Sequence, residues 1–306
     1  MEAFAREVLG CYAAPWRGSL DPRRYAGFSG AQVWKVQTLG GPLCLRASAA
    51  HEITAQVRQR HALLNHLAEL PFISLPVTTL HGDTIVESQG RVWELMHWMP
   101  GQADFHARPT RERLRAATQA LARVHTLLAR QPVGAGPCPA VGRRIDALTA
   151  ALPEILHPLA RRMRRLIQVQ APRLVQTLLT MPGQVRLQWC LRDIWHDHLL
   201  FDGDRLTGLI DYAAAGVDSV ACDLARMLGS LVGDDSEAWR NALTAYRELA
   251  PLTVSEEFLA VTLDRGGVVA SLANWLRRLA GAPMETMSEQ ARARIEQLLE
   301  RVEEWG

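Results

Sequence analysis

The spacing of apolar and polar positions divides the chain into two differently patterned halves. Residues 3–12 place Phe4 and Leu9 on one face, and this spacing predicts a short amphipathic helix. From Tyr25 to Ser48 the period drops to two. Gln32–Gln37 and Leu43–Ala47 alternate on either side of Gly40-Gly41-Pro42, which predicts a β-hairpin. His51–Leu70 returns to helical spacing, with Leu63, Leu64 and Leu67 as its stripe. Leu75–Leu80, Thr84–Ser88 and Arg91–Trp98 then read as three strands separated by His81-Gly82-Asp83 and Gln89-Gly90. With the hairpin they make a five-stranded antiparallel sheet. Pro100-Gly101 follows, and the first domain is expected to be residues 1–100, the second 101–306.

The second half is mainly helical. Leu114, Ala117, Leu121, Val124, Leu127 and Leu128 recur at helix spacing, and residues 132–142 are a Pro/Gly-rich loop. Residues 143–180 predict one or two Arg-rich amphipathic helices. Arg161, Arg162, Arg164 and Arg165 suit an anionic acceptor, although such a charge run is ordinarily a solvated helix face. Val185–Cys190 reads as a short strand. Leu199–Phe201 and Leu206–Ile210 are two further short apolar runs joined by Asp202-Gly203-Asp204, a tight-turn composition. Helices are expected over 218–232, 237–249, 255–263, 266–279 and 288–304.

Composition narrows the partners. The chain has 306 residues, enough for about two domains, and 22% of them are charged with a net charge of +2. That balance gives no electrostatic case for nucleic acid or a membrane surface. No apolar run reaches the roughly 18–20 residues of a membrane span. The five cysteines (Cys11, Cys44, Cys138, Cys190, Cys222) are odd in number and include no Cys-x-x-Cys pair, as expected of reduced thiols. The N-terminal residues are acidic and amphipathic, unlike a secretory leader. These features predict a cytoplasmic protein. Lys35 is the single lysine, and the pattern carries no information on oligomeric state.

The chemistry concentrates between Val185 and Leu231. Asp193, His198 and Asp211 each flank a short strand, where a sheet can hold side chains still. Phosphoryl transfer needs that, because its catalysis is mostly positioning and charge neutralisation. Taken singly, each Asp reads as a turn or capping residue; the joint spacing is what makes them informative.

That spacing resembles the catalytic core of the aminoglycoside phosphotransferase/choline kinase family, the small-molecule branch of the protein-kinase-like fold. The family shows His-Gly-Asp, an Asn five residues on, a hairpin, then Ile-Asp-aromatic. Here Leu191-Arg192 stands for His-Gly and His198 for Asn. The resemblance implies an α+β, two-lobed fold: a small antiparallel sheet lobe over the nucleotide, and a larger helical lobe with the catalytic loop. It implies that Asp193 orients the acceptor hydroxyl, that His198 and Asp211 hold metal, and that Asp223 braces the catalytic loop. Gly27-Phe28-Ser29-Gly30, by itself a hairpin turn, becomes a phosphate-covering loop with Ser29 and Gly30 at the phosphates. Cys44 and Arg46, on one strand face, take the slots over the base and at the phosphates, where Arg46 replaces the usual Lys; without the resemblance Arg46 reads as a surface residue of an edge strand. Glu94–Met99 matches the inter-lobe hinge, placing Glu94 and Met96 at the base; Met96, Trp98 and Met99 equally suit plain core. The expected cofactor is ATP (or GTP) with Mg or Mn, and the partner a small-molecule hydroxyl acceptor.

Three positions stand against the simplest version: His198, Arg46 and the missing helix Glu. The helix Glu that usually pairs with the strand cation is not evident: its slot falls near Arg60, and Glu52 reads as a first-turn acid favoured by the helix dipole. His125 reads as a structural hydrogen-bonding residue. Together with His198 and Arg46, the absent Glu keeps a pseudokinase open, a nucleotide-binding module of this fold without turnover. A metal-dependent hydrolase built on His196, Asp197, His198 and Asp211 is the third reading.

Overall fold

A computed structural model describes residues 2–26, 30–49, 52–131, 133–281 and 287–305, with backbone alone over 22–26. In chain order its elements are α1 (Glu2–Leu9), β1 (Ser19–Ala26), β2 (Gln32–Thr38), β3 (Gly41–Ala47), α2 (Thr54–Asn65), β4 (Ile85–Ser88), β5 (Arg91–His97) and α3 (Arg111–Leu128). There follow β6 (Gly134–Gly136), α4 (Pro139–Thr149), α5 (Pro158–Leu179), β7 (Val185–Cys190), β8 (Leu199–Asp202), β9 (Arg205–Leu209) and β10 (Gly216–Asp218). The last elements are α6 (Val220–Val232), α7 (Ser236–Arg247), α8 (Val254–Leu279) and α9 (Glu289–Glu303). They group into two compact units, Met1–Ala116 with Asp197–Ala213, and Ala117–His196 with Ala214–Gly306. Among the described residues no helix is long and apolar enough to cross a membrane.

The first unit is built on an antiparallel sheet of order β1-β2-β3-β5-β4. Because side chains alternate along a strand, register sorts them onto two faces. Trp34 opposes Leu45, Val36 opposes Leu43, and Leu45 opposes Leu95 on one face. There Trp34 and Trp93 stack with ring centroids 5.6 Å apart, and Ala5, Val8 and Leu9 of α1 join the same buried cluster. The other face carries Lys35 opposite Cys44 and Arg46 opposite Glu94. Here α2 packs, its Val57 clustering with Ile85 and Val92. Gln89 and Gly90, at φ 54° and 66°, form the two-residue turn that joins β4 to β5.

The β8–β9 hairpin belongs to this unit and turns at Gly203, φ 58°. Gln102 exchanges backbone hydrogen bonds with Phe201, at 3.0 and 2.9 Å, and the Thr207 hydroxyl donates to the Pro100 carbonyl at 2.7 Å. Residues 101–116 therefore group with the sheet by contact.

Two expectations are corrected. The fifth strand is Ser19–Ala26, not Leu75–Leu80, which meets its neighbours only through isolated bridges, Pro76 with Met96 and Thr79 with Tyr12. The helix expected from residue 51 to 70 is shorter, Thr54–Asn65, and Glu52 lies ahead of it.

In the second unit α8 packs against α4, α5, α6 and α9. A Thr253/Glu256 capping box starts it. The sequence predicts a break before Gly266, yet α8 runs unbroken through Gly266 and Gly267. These glycines admit Arg144 of α4: a Cβ on Gly267 would lie 3.0 Å from the Arg144 guanidinium. A small antiparallel sheet, β10-β7-β6, delivers Cys190 to the start of the loop that carries Asp193.

Candidate phosphotransfer site

Arg46 is the hub of a buried ionic cluster in the first unit. Its Nη1 donates to Glu94 Oε1 at 2.6 Å and its Nη2 to Glu52 Oε2 at 3.0 Å. Arg60 of α2 reaches the same two carboxylates, Glu52 Oε1 at 2.8 Å and Glu94 Oε2 at 3.2 Å. His61 Nε2 lies 2.6 Å from Glu94 Oε2 and its Nδ1 lies 2.8 Å from the Thr84 hydroxyl. Burial opposes ionisation of Glu94, but His61, Arg60 and Arg46 outweigh it and hold the carboxyl far below its usual range. Glu52 is likewise lowered, burial being overcome first by Arg46. Arg46 is held charged: its burial is outweighed by Glu94 and Glu52.

The strand cation thus has carboxylate partners, and the reading of Glu52 as a helix-dipole acid is corrected. The partners come from Glu52 before α2 and Glu94 on β5, while the expected helix slot holds Arg60, a second cation. Glu94 was expected at the base; its backbone is flanked by Arg46 on β3 and Ile85 on β4, and its side chain serves Arg46, Arg60 and His61. Cross-strand neighbours on one face interact directly, so the Arg46–Glu94 pair follows from register.

Cys44 is partly buried beside this cluster, its thiol pushed up to about 12 by burial and by Glu94. Met96, its cross-strand partner, is buried. Lys35 lies 4.7 Å from the centre of the Trp98 ring, a cation–π contact on the same face. Gly30 is exposed at φ 77°, a conformation that favours glycine, with open space where a Cβ would stand. Ser29 lies outside the described residues.

His198 and Asp211 come together in the first unit. His198 closes a single 3-10 turn over His196–His198, and its carbonyl accepts from the Ile210 backbone at 3.0 Å. Its Nε2 stands 3.7 Å from Asp211 Oδ2. Asp211 adopts φ 62°, and its Oδ1 accepts from the Ala213 backbone at 3.2 Å. Tyr212 anchors this bend from the buried side: its hydroxyl accepts from the Ser74 backbone at 3.1 Å and donates to the Leu209 carbonyl. An imidazole nitrogen and an exposed carboxylate this close together are a donor pair that would suit a divalent cation.

In the second unit, Asp193 sits on a loop held by α6. Asp223, fully buried, accepts from the Leu191 backbone at 2.8 Å through Oδ2 and from the Arg192 backbone through Oδ1. His125 Nε2 lies 2.9 Å from the same carboxylate, and its Nδ1 lies 2.7 Å from the Tyr246 hydroxyl. His125 is therefore structural, as read. Arg192 adopts φ 64°, where the family has Gly. Left-handed backbone costs a non-glycine residue roughly 1–2 kcal/mol. Its guanidinium answers with a hydrogen bond to the Ala214 carbonyl and lies over Gly216, where a Cβ would stand 2.7 Å from Cζ. Arg226, one helical turn beyond Asp223, donates from Nε to Asp193 Oδ1 at 2.8 Å.

An antiparallel sheet with a buried cation–carboxylate cluster, a helical unit with an Asp-braced loop, and a hairpin followed by Asp211 define a protein-kinase-like α+β fold. The phosphotransferase enzyme family matches residues 23–259, and the chain belongs to that family. Solved structures share the fold at low identity. A microcompartment-associated aminopropanol kinase is 15% identical with a TM-score of 0.65, covering 99% of this chain and 95% of that one. An amicoumacin kinase, in complex with AMP-PNP, Ca²⁺ and Ami, is 12% identical with a TM-score of 0.64, covering 99% and 93%.

Among curated proteins the chain is similar to homoserine kinases. That of Janthinobacterium sp. (strain Marseille) is 33% identical over 93 residues, 28% of each chain. That of Brucella anthropi is 26% identical over 265 residues, 80% of this chain and 77% of that one. The first three such relatives are spanned over only 28%, 38% and 59% of their lengths.

Proposed function

We propose that the protein transfers the γ-phosphoryl group of ATP (or GTP) to a hydroxyl of a small molecule, as a cytoplasmic enzyme. The observation that carries this reading is the bracing of the Asp193 loop by Asp223, which takes the Leu191 and Arg192 backbone N–H groups. A loop so held keeps Asp193 oriented, and orientation is most of what this reaction asks of its base.

Within this reading residues 1–100 cover the nucleotide and 101–306 carry the catalytic loop. Ser29 and Gly30 cover the phosphates, Cys44 and Met96 face the base, and Arg46, steadied by Glu94 and Glu52, reaches the phosphates. His198 and Asp211 would hold Mg or Mn, which when bound would neutralise charge on the phosphates. Asp193 accepts the hydroxyl proton. The pseudokinase alternative rested partly on an Arg46 without carboxylate partners, and the pairs with Glu52 and Glu94 remove that ground. The hydrolase reading has less support: His196 and His198 are two apart on one 3-10 turn, where side chains diverge.

The curated relatives make homoserine the first acceptor to try, followed by aminoglycosides, amino alcohols, sugars and nucleosides. ATP consumption is measured against that panel, with nucleotide binding followed by calorimetry with and without metal. Asp193→Asn is expected to lower turnover on the order of 10²–10⁴-fold with nucleotide binding retained. Absence of ATP or GTP binding under every metal condition overturns both kinase and pseudokinase readings.

A further inference from the structure

We propose that Arg226 is a positioning residue for Asp193: seated against Trp195, its guanidinium fixes the carboxylate in the orientation from which it receives the acceptor's proton. This rests on the reading of Asp193 as the base of a phosphotransferase.

Asp193 needs such support. It lies on irregular backbone and its side chain is 46% exposed. A carboxylate there rotates about χ1 unless a neighbour stops it, and misplacement by about 1 Å can cost on the order of 10²-fold in rate. Asp223 fixes the loop's backbone, but not the Asp193 side chain. Arg226 stands at i+3 from Asp223, so both project from one face of α6. The same helix therefore grips the loop twice, by backbone at Leu191 and Arg192 and by side chain at Asp193.

Arg226 is itself held. Its Cζ lies 5.2 Å from the centre of the Trp195 ring, two residues downstream of Asp193, and Arg294 of α9 lies 4.4 Å from that ring. Cation–π contact restrains a guanidinium while leaving the N–H groups at its edge to donate. A single bond from Nε uses one of about four lone-pair sites on the carboxylate, so the acceptor hydroxyl is not displaced by it.

Phosphoryl transfer through a loose transition state asks more of positioning than of proton abstraction. The acceptor oxygen bonds to the γ-phosphorus, the bond from that phosphorus to the bridging oxygen of the nucleotide breaks, and the hydroxyl proton passes late to Asp193. Orientation outweighs base strength, and that is what Arg226 supplies.

The test uses the full chain with Arg226→Met, Arg226→Lys and Trp195→Leu. Arg226→Met is expected to lower kcat about 10- to 100-fold with the KM for nucleotide within about twofold, Arg226→Lys to recover part of it, and Trp195→Leu to fall between. A kcat within twofold of wild type in Arg226→Met, or equal losses in kcat and nucleotide affinity tracking a lower Tm, overturns the proposal. Crystal structures of wild type and Arg226→Met with nucleotide give a readout independent of turnover. Asp193 is expected to change rotamer or split between conformers; an unmoved Asp193 overturns the proposal even if no acceptor is turned over. Should Arg226→Met fail to melt cooperatively, Arg226→Lys is read on the same two measures. Failure of the wild type to phosphorylate any acceptor bears on the kinase reading, and the crystal comparison still decides the role of Arg226.

Discussion

Arg46 and Glu94 oppose one another across β3 and β5, and their side chains meet at 2.6 Å with only 17% and 5% of their surfaces exposed. The pair is more than a surface bridge, because Glu94 also satisfies Arg60 and His61. Removing one member of a buried ionic cluster leaves the others uncompensated.

Glu94→Ala is therefore expected to destabilise the protein by about 3–5 kcal/mol, read from denaturant unfolding. The pH dependence has a definite sign. The folded carboxyl lies far below its ordinary value of 4.5, so its contribution is present above about pH 4.5 and fades as pH falls further. Wild type should lose Tm steeply below pH 4.5, and Glu94→Gln should flatten that loss.

Asp264 gives the opposite slope. Burial pushes its carboxyl from 3.8 up to about 6, against the attraction of Arg301. A raised folded value contributes stability that is complete below about pH 3.8 and lost as pH rises through about 6. Between pH 7 and 5, proton uptake by Asp264 should raise Tm. Asp264→Asn should remove that rise, checked by melting curves at half-unit steps.

Gly101 should not tolerate a side chain. It adopts φ 102°, and a Cβ there would lie 2.3 Å from the Thr207 hydroxyl and 2.8 Å from the Phe201 carbonyl. Strain and the backbone clash together predict a loss of about 2 kcal/mol or more for Gly101→Ala. Unfolding in urea measures it, and a change below about 0.5 kcal/mol would contradict the described backbone at this turn.

His198 bears on metal choice. An imidazole nitrogen suits Mn²⁺ better than Mg²⁺, whereas the carbonyl oxygen of Asn suits Mg²⁺. Metal-dependent nucleotide binding is expected to favour Mn²⁺ in wild type and to shift toward Mg²⁺ in His198→Asn. Titration calorimetry with each ion compares the two proteins, and identical preferences would remove His198 from the ligand set.

The sequence made the local spacing readable and left the long-range pairing hidden. Asp193, His198, Asp211 and Asp223 lie within 31 positions, and their spacing is what carries the family resemblance that singles them out. The Glu52–Arg46–Glu94–Arg60 cluster was not, because it forms only once β3 and β5 are in register and α2 is packed. Strand β1 escaped because an edge strand needs no clean alternation, and Asp21-Pro22-Arg23-Arg24 is a composition that edges tolerate. The break expected in α8 does not occur, because Gly266-Gly267 serves close helix packing instead of a turn.

Arg192 has one more consequence. By fastening itself to the Ala214 carbonyl and lying on Gly216, it ties down the short stretch that leads from Asp211 to α6. Only eight residues separate Asp211 from the first residue of that helix, and three of them are strand β10. A segment this brief, fastened near its middle, has little slack. Change at Arg192 would therefore be felt in two places at once, in the loop that carries Asp193 and in the segment entering α6.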